Sequence, residues 1–384
     1  MVKERIVVKI GSSSLTNENG EINHHKLEDH VHAIAALRKK RHDVILVSSG
    51  AVAAGFKRLG YASRPVSLKG RQAAAAVGQS LLIQTYLEKL NTYNVTAALL
   101  LMTRSDFSNR ERYQNAFATI SELLDRGILP IINENDTVSV DELTFGDNDM
   151  LSALVSGFVH ADRLIILTDI NGIYDGNPKT NPNAQKLHYL ENITDSMIQA
   201  ADENGSKVGT GGMKSKLIAA RTALSLGVPV FVGQGQGKSK LLDVLKGEGD
   251  GTYIANPELH WINTKKQWIG LHSKSSGKIY VDQGAEEAIR FHSKSLLSAG
   301  IFKVKGMFEA GDVVEVLSKN GLLGKGQVKC SSSELKAWLE NRNKEDGKPA
   351  LKVIRGDHWV DLTIQREGIV DEQSTVKERS TVEG

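Results

Sequence analysis

Short apolar segments alternate with longer helix-patterned segments over the first two thirds of the chain, and this order constrains the fold most strongly. The short segments are apolar nearly throughout, as expected when helices cover both faces of a parallel sheet. Such a βα order predicts a three-layer α/β/α domain with a mainly parallel central sheet. The predicted strands are Arg5–Ile10, Asp43–Val47, Val95–Leu101, Ile128–Ile132, Leu164–Leu167 and Val228–Val232, and the predicted helices cover residues 24–40, 50–59, 69–90, 110–125, 148–160 and 212–226.

Polar groups follow five of these predicted strands. In open α/β sheets, ligands bind beyond the carboxyl ends of the strands, so we expect these groups to line one rim. Each group alone is typical of a helix N-cap or a turn. Five groups at equivalent positions indicate a binding site instead. They are Lys9 with Gly11–Ser14, Ser48–Ala51, Thr103–Asp106, Asn133–Asp136 and Thr168–Asp169.

The segment Gly209–Lys216 is rich in glycine and lysine and leads into a predicted helix. Glycines leave backbone N–H groups open to an anion, and both the helix N-terminus and the lysines add positive charge, which suits a polyphosphate. The segment departs from the P-loop pattern G-x-x-x-x-G-K-[ST], because Val208 and Met213 occupy the glycine positions. Taken alone, it is more typical of an ordinary glycine-rich turn.

A length of 384 residues predicts two domains. Residues 247–251 and the pair Asn256–Pro257 suggest that the chain leaves the first domain there. Short strands then follow, separated by turn signals such as Asp282–Gly284 and Glu309–Asp312. We predict an α/β domain over residues 1–260, a linker over 261–276, a small β-rich domain over 277–365 and a polar tail over 366–384. The predicted strands of the second domain are Lys278–Val281, Phe302–Val304, Val313–Val316, Gly326–Lys329 and Leu351–Ile354.

Composition limits the classes of function. A formal net charge of +3 gives no reason to expect a nucleic-acid or membrane surface over the whole protein. The single cysteine, Cys330, excludes an intrachain disulfide framework, fits a reducing compartment and is interpreted as a small buried or half-buried residue. The N-terminal residues lack the features of a signal peptide, and no apolar run reaches the length of a membrane span. We therefore expect a cytoplasmic protein without a membrane partner.

The side chains at the rim suit phosphoryl transfer better than covalent catalysis. The eleven histidines show no metal-ligand spacing, and His24, His25, His30 and His32 fall on a polar helix, where we expect them to be solvated. Lysines, hydroxyls, amides and acids can position two substrates and neutralise charge on a moving phosphoryl group.

Within that interpretation, Lys9 and Lys216 act on the transferred phosphoryl group. Asp147, Asn148 and Asp149 begin a predicted helix, so they either cap it or orient the lysines and bind the substrate.

Five motifs together resemble the glutamate 5-kinases of the amino-acid kinase family. The resemblance runs in order over about residues 5–260, and residues 277–365 resemble the PUA domain that many bacterial members carry. Kinases of aspartate, acetylglutamate, carbamate and UMP share the lysine and glycine features without this set of loops. The motifs are Val7–Ser13, Ser48–Gly55, Asn133–Asp136, Gly146–Asp149 and Gly209–Lys216.

The resemblance implies ATP-dependent phosphorylation of the side-chain carboxylate of L-glutamate, the first step of proline biosynthesis, with Mg²⁺ accompanying the nucleotide. It implies that Lys9 and Lys216 contact phosphates and that Asp149 holds the lysines. The glutamate ligands would be Ser49, Asp136 and Asn148, and the ATP ligands would be Lys9, Thr168, Asp169, Thr210, Gly211, Gly212, Met213, Lys214, Ser215 and Lys216. Among these, Lys214 is the more peripheral charge.

The resemblance also implies a homo-oligomer, a dimer or a tetramer. It leaves open proline as a feedback inhibitor and transient contact with glutamate-5-semialdehyde dehydrogenase, which would take over the labile product. Three other functions remain open: a related small-molecule kinase with another acceptor, an RNA-binding protein acting through the PUA-like domain, and a regulatory module without turnover. The second domain's sequence lacks a dense stripe of basic residues interleaved with aromatics, which argues against the RNA-binding function.

Overall fold

The computed structural model describes residues 2–17, 19, 21–138, 148–176, 178, 180–203, 212–235, 237–257, 269–270, 273, 275–291, 294–341 and 350–362. The chain divides into two compact units: Met1–Asp106 with Glu111–Trp261, and Ile262–Gly384 with Phe107–Arg110. The predicted tail over 366–384 and most of the predicted linker over 261–276 lie outside the described residues. The proposed domain limits therefore stay a prediction.

The first unit is built on an eight-stranded, mainly parallel sheet. Its strands are β1 (Arg5–Ile10), β2 (Asp43–Ser48), β3 (Ala97–Met102), β4 (Leu129–Glu134), β5 (Arg163–Leu167), β8 (Tyr189–Leu190), β9 (Val230–Gly233) and β10 (Gly251–Ile254), in the order β3-β4-β2-β1-β5-β9-β10-β8. All neighbouring strands are parallel except β9 and β10. A separate antiparallel pair joins β6 (Ile173–Tyr174) and β7 (Lys186–Leu187). The predicted α/β fold with a mainly parallel sheet is confirmed.

Helices cover both faces of this sheet. Those described are α1 (His24–Lys39), α2 (Ala51–Gly55), α3 (Leu68–Asn91), α4 (Arg104–Ser108), α5 (Arg110–Asp125), α6 (Asn148–Phe158), α7 (Asp195–Glu203), α8 (Met213–Ser225) and α9 (Lys240–Lys246). Apolar side chains of α1, α3 and α9 form one core with alternate residues of β1, including Ile6, Val8 and Ile10. Helix α6 packs on β1, β2, β4 and β5 and against α8. Successive strand residues point to opposite faces, so the side chain of Lys9 lies on the α6 face.

One expectation about the first unit is wrong. Strand β3 is not buried on both faces, and Leu101 is 41% exposed, because β3 is the edge strand of the sheet. Residues Gly251–Ile254 still belong to the sheet of the first unit, where they pair with β9 as an antiparallel strand. Glycine-rich sequence there reflects close packing: an ideal Cβ on Gly251 would lie 2.4 Å from the Phe231 ring.

The second unit is β-rich, as the sequence predicts. Its six-stranded sheet has the order β12-β16-β15-β14-β11-β13. Its described elements are β11 (Gly277–Val281), α10 (Gln283–Phe291), β12 (Leu296–Leu297), β13 (Ile301–Gly306), β14 (Val313–Ser318), β15 (Gly321–Val328), α11 (Ser332–Asn341) and β16 (Lys352–Asp361). The predicted turn at Asp282–Gly284 is wrong, because Asp282 instead caps α10 by accepting a hydrogen bond from Ala285 N at 2.9 Å. Cys330 is buried in this unit's core, as expected.

In the described part of the chain, no helix combines the length and the apolar character needed to cross a membrane.

Candidate active site

A buried carboxylate between two buried lysines lies at the carboxyl end of the parallel strands. Asp149 is fully buried, and its Oδ1 forms an ion pair with Lys9 Nζ. Its Oδ2 accepts a hydrogen bond from Lys216 Nζ at 3.0 Å. An uncompensated buried charge costs on the order of 3–5 kcal/mol, so the three groups stabilise one another. One carboxylate and two ammonium groups leave a net positive charge, which suits an anionic ligand.

Each member of this group comes from the end of a different element. Lys9 is the penultimate residue of β1, Asp149 is in the first turn of α6, and Lys216 is in the first turn of α8. Ser215 Oγ also lies 3.3 Å from Asp149 Oδ2. Because helix N-termini carry partial positive charge, the starts of α6 and α8 add to the positive potential at this position.

A second polar group surrounds Asn148, the residue before Asp149. Asn148 Nδ2 points at three acceptors: Ser48 O at 2.6 Å, Asn133 Oδ1 at 2.8 Å and Ser49 Oγ at 3.1 Å. An amide nitrogen carries two hydrogens, so these acceptors compete for them. Asn133 in turn donates to Gln79 Oε1 at 2.6 Å, which fixes its side chain. The ends of β2 and β4 and the start of α6 therefore meet through amide hydrogen bonds.

The position of Ser49 depends on nearby glycines, one in a left-handed backbone conformation and two at close contacts between helix backbones. Gly50 has a φ of 105°, which a residue with a side chain rarely adopts, and it precedes α2. Helices α2 and α3 then pack backbone to backbone, because an ideal Cβ on Gly78 would lie 1.8 Å from Ala51 O and one on Gly55 would lie 2.0 Å from Ala74 O. Glycines at these positions hold the β2–α2 connection beside Asn148.

Asp136 follows β4 and is a half-buried carboxyl group. Burial raises its pKa from 3.8 to about 6, although the positive charges of Arg64 and Arg71 act in the opposite direction. Burial likewise lowers the pKa of Arg64, and the charge of Asp136 opposes this shift. No sequence pattern indicates Arg64 or Arg71 as site residues, since neither follows a predicted strand.

The remaining predicted ligands occupy the ends of β5 and α8. Thr168 N donates to Gly233 O at 3.0 Å, and its hydroxyl donates to Asp169 Oδ1 at 3.0 Å, which joins the ends of β5 and β9. Gly212 is the N-cap of α8, and Met213, Lys214 and Ser215 lie in its first turn. Thr210 and Gly211 lie outside the described residues.

The structure thus brings many of the predicted site residues into direct contact. One contact group consists of Lys9, Asp149, Ser215 and Lys216. A second group contains Ser49 and Asn148, and the two groups adjoin because Asn148 directly precedes Asp149 in the chain. Thr168 and Asp169 follow β5 and Asp136 follows β4, two strands of the sheet that are separated by β2 and β1. Asn133 and Gln79 support Asn148 in a way that the sequence does not predict. Asn133 carried the strand-end signal, whereas Gln79 lies within α3 and carried none.

Comparison with known proteins gives a consistent result. The sequence profile of the amino acid kinase family matches residues 4–234, and that of the PUA domain matches residues 277–344. The chain is 59% identical over 363 residues to glutamate 5-kinase 1 of Bacillus licheniformis, covering 94% of this chain and 100% of that protein. It is 59% identical over 362 residues to glutamate 5-kinase of Oceanobacillus iheyensis, covering 94% and 97%. It is 56% identical over 375 residues to glutamate 5-kinase of Geobacillus kaustophilus, covering 96% and 100%.

The raised pKa of Asp136 predicts a pH-dependent effect of Asp136→Asn on stability. The folded state holds the Asp136 proton more tightly than the unfolded state between pH 3.8 and about 6, so this carboxyl lowers the free energy of unfolding as pH rises through that window. We expect Asp136→Asn to have the stability of the native protein near pH 4 and to exceed it by about 1–2 kcal/mol at pH 7. Urea unfolding between pH 4 and 7 measures this difference. Asp125→Asn, at an exposed carboxylate, is the control, and a difference independent of pH would contradict the assignment.

Proposed function

This chain belongs to the amino acid kinase family, and within it to the glutamate 5-kinases, and we therefore propose that it phosphorylates L-glutamate with ATP. The product is L-glutamate 5-phosphate, and the reaction is the first step of proline biosynthesis. The observation in the structure that carries the proposal is the buried group of Lys9, Asp149 and Lys216 at the carboxyl end of the sheet. A regulatory module without turnover would have little use for two buried lysines held by one carboxylate.

The reaction needs positioning and charge neutralisation more than proton transfer. The side-chain carboxylate of glutamate is ionised at pH 7, so it can attack the γ-phosphorus of ATP without a general base. A carboxylate oxygen forms the new P–O bond as the bond to the β-phosphate oxygen breaks and ADP leaves, in line and without a covalent enzyme intermediate.

We assign Lys9 and Lys216 to the transferred phosphoryl group. Both ammonium groups are nearly excluded from water, where their attraction for developing negative charge is stronger than at the surface. Asp149 holds them in position, because its two oxygens contact one lysine each. Their separate attachment to β1 and α8 would place them on different sides of the phosphoryl group.

Glutamate would bind where three parts of the first unit meet: the β2–α2 connection, the carboxyl end of β4 and the start of α6. Ser49 offers its hydroxyl group, Asn148 offers its side-chain amide beside that hydroxyl, and Asp136 offers a carboxylate for the substrate ammonium. Three short polar groups facing one small molecule suit an amino acid better than a nucleoside monophosphate.

ATP would bind Thr168, Asp169 and the residues from Thr210 to Lys216, of which Thr210 and Gly211 lie outside the described residues. Mg²⁺ would accompany ATP and, when bound, would offset the negative charge of the phosphates. Within the described ranges no group of three or more His, Cys, Asp or Glu side chains could hold a metal ion. Asp149 already contacts two ammonium groups, so the residues present fit an ion carried by the nucleotide.

The proposal includes three further properties drawn from the family resemblance. They are a cytoplasmic location, a homo-oligomeric state of two or four chains, and delivery of the labile acyl phosphate to glutamate-5-semialdehyde dehydrogenase. Feedback inhibition by proline belongs to the same group of proposals.

A panel of acceptors tests the substrate. We expect phosphoryl transfer from ATP to L-glutamate with a kcat/KM well above that for L-aspartate or N-acetyl-L-glutamate, measured as acceptor-dependent ADP formation with hydroxylamine trapping of the acyl phosphate. A higher kcat/KM for aspartate or acetylglutamate would reject glutamate as the substrate.

Replacement of either lysine should act mainly on kcat. We expect Lys9→Ala and Lys216→Ala each to lower kcat by roughly 10²–10³-fold, because each removes a charge that acts on the transition state. The KM for glutamate should change little. Lys246→Ala, at an exposed lysine of α9, is the matched control. Loss of glutamate affinity with unchanged kcat in both variants would show that the assigned roles are wrong.

One observation in the second unit favours a second candidate function, binding of single-stranded RNA. Lys303 Nζ and Lys305 Nζ lie 5.5 Å and 6.0 Å from the centroid of the Tyr280 ring, and the Phe302 ring is 6.3 Å from it. Phe302 is 53% exposed, so its ring is available for base stacking. The sequence alone shows no such cluster, because strands β11 and β13 contribute its members separately.

A mobility-shift assay with labelled single-stranded RNA tests this second function. Binding should weaken steeply with added salt, and deletion of residues 277–384 should abolish it. Phe302→Ala and the pair Lys303→Glu with Lys305→Glu should each weaken it, whereas Lys319→Glu, an exposed lysine of the same unit, should not. Equal affinity in all variants would exclude the cluster as the binding surface.

A further inference from the structure

One face of α1 holds the segment that follows β1. Lys26 Nζ donates to Thr16 O at 2.9 Å and to Ser13 O at 3.3 Å. One turn later, His30 Nε2 lies 3.2 Å from Ser14 O. Three carbonyl groups of this segment therefore accept hydrogen bonds from side chains of a single helix.

The hydrogen bond between His30 and Ser14 O is buried, and only His30 can be its donor. His30 is only 6% exposed, which contradicts the expectation that it is solvated. A carbonyl oxygen can only accept, so Nε2 must carry the proton. Burial, with a contribution from the charge of Lys240, lowers the pKa of His30 to about 4, so the ring is neutral at pH 7.

The same face of α1 also holds the segment that follows β9. The carboxylate of Asp29 forms an ion pair with the ammonium of Lys240, which is buried at the start of α9. The stem of Lys240 packs on Gly235, where an ideal Cβ would lie 2.9 Å from Lys240 Cδ and 3.0 Å from Leu167 Cδ2. Leu167 immediately precedes Thr168, so this contact reaches the proposed ATP side of the site.

The segment after β1 lies against the ammonium group of Lys9. An ideal Cβ on Gly11 would lie 3.5 Å from Lys9 Nζ and 3.9 Å from Ser13 Oγ. A shift of this segment would therefore change the surroundings of Lys9. In transfer reactions a displacement of about 1 Å can cost roughly 10²-fold in rate.

We propose that α1 is a positioning helix for phosphoryl transfer, with Lys26, Asp29 and His30 setting the segment after β1 relative to the segment after β9. His30 is its central positioning residue, because it is the buried contact. The inference deepens the proposed function and rests on it, since the segments it positions flank the assigned lysine and nucleotide ligands.

A second buried histidine provides a matched control. His42 is fully buried and accepts a hydrogen bond at Nδ1 from Glu4 N at 3.1 Å. It precedes β2, at the amino ends of the strands and therefore at the edge opposite the site. His30→Leu and His42→Leu each remove one buried imidazole with one hydrogen bond to the backbone.

The two variants should lose similar thermal stability but differ in activity. We expect His30→Leu to lower kcat at saturating substrates by about tenfold, with little change in the KM for glutamate, and His42→Leu to retain kcat. His30→Gln should recover part of the loss, because its amide N–H can reach Ser14 O. Lys26→Met, at an exposed position that does not endanger folding, should lower kcat by a smaller factor.

Amide hydrogen exchange of residues 11–16 supplies a readout independent of turnover. Exchange there should accelerate in His30→Leu and Lys26→Met and stay native in His42→Leu. Unchanged exchange together with equal kcat in His30→Leu and His42→Leu would overturn the inference. If the native protein fails to phosphorylate glutamate, the proposed function fails, and the exchange data alone then decide whether α1 positions the segment.

Discussion

The contact of one buried carboxylate, that of Asp149, with two buried ammonium groups is the interaction on which the site depends. Either lysine alone in this position would carry a large desolvation cost, and both together would repel. Asp149 offsets these costs while leaving a net positive charge for an anion. The carboxyl end of β1 and the starts of α6 and α8 must therefore meet within hydrogen-bonding distance, although residues 9, 149 and 216 are far apart in sequence.

The parallel sheet meets this requirement through its alternation of side chains. Along β1, Ile6, Val8 and Ile10 pack into the core with α1, and Lys9 between them points to the opposite face, toward α6. The amide network around Asn148 then ties α6 to the ends of β2 and β4. Close packing at Gly55 and Gly78 brings the adjacent α2–α3 pair to the same edge. The charge of the site and the register of the sheet therefore depend on the same strand ends, those of β1, β2 and β4.

The two faces of the sheet contribute differently to the site. On the α6 face, charged side chains contact one another directly. On the α1 face, Lys26 and His30 contact backbone carbonyl groups, so they influence the site through the shape of a segment. This difference explains why His30 is buried in a helix whose sequence looks polar: its ring replaces water as the hydrogen-bond donor to Ser14.

The sequence by itself determined most strands and helices around the site and the polar character of the strand ends. The predicted strand Arg5–Ile10 matches the observed strand, and the predicted helix 24–40 ends within one residue of α1. These features follow from periodicity and propensity, which act between residues close in sequence. The polar groups after the strands were recognisable for the same reason. At Asp282 the local signal is ambiguous, because turns and helix N-caps favour the same residue types. The turn predicted there is wrong, and Asp282 caps α10 instead.

Only the tertiary structure decided which of these groups touch. That Asp149 bridges Lys9 and Lys216, that Gln79 supports Asn133, and that His30 is buried depend on strand order and on which helix covers which face. Strand order also exposed β3 at the sheet edge and brought Lys303 beside Tyr280. Burial and contact arise between residues distant in sequence, and local patterns carry no information about that pairing.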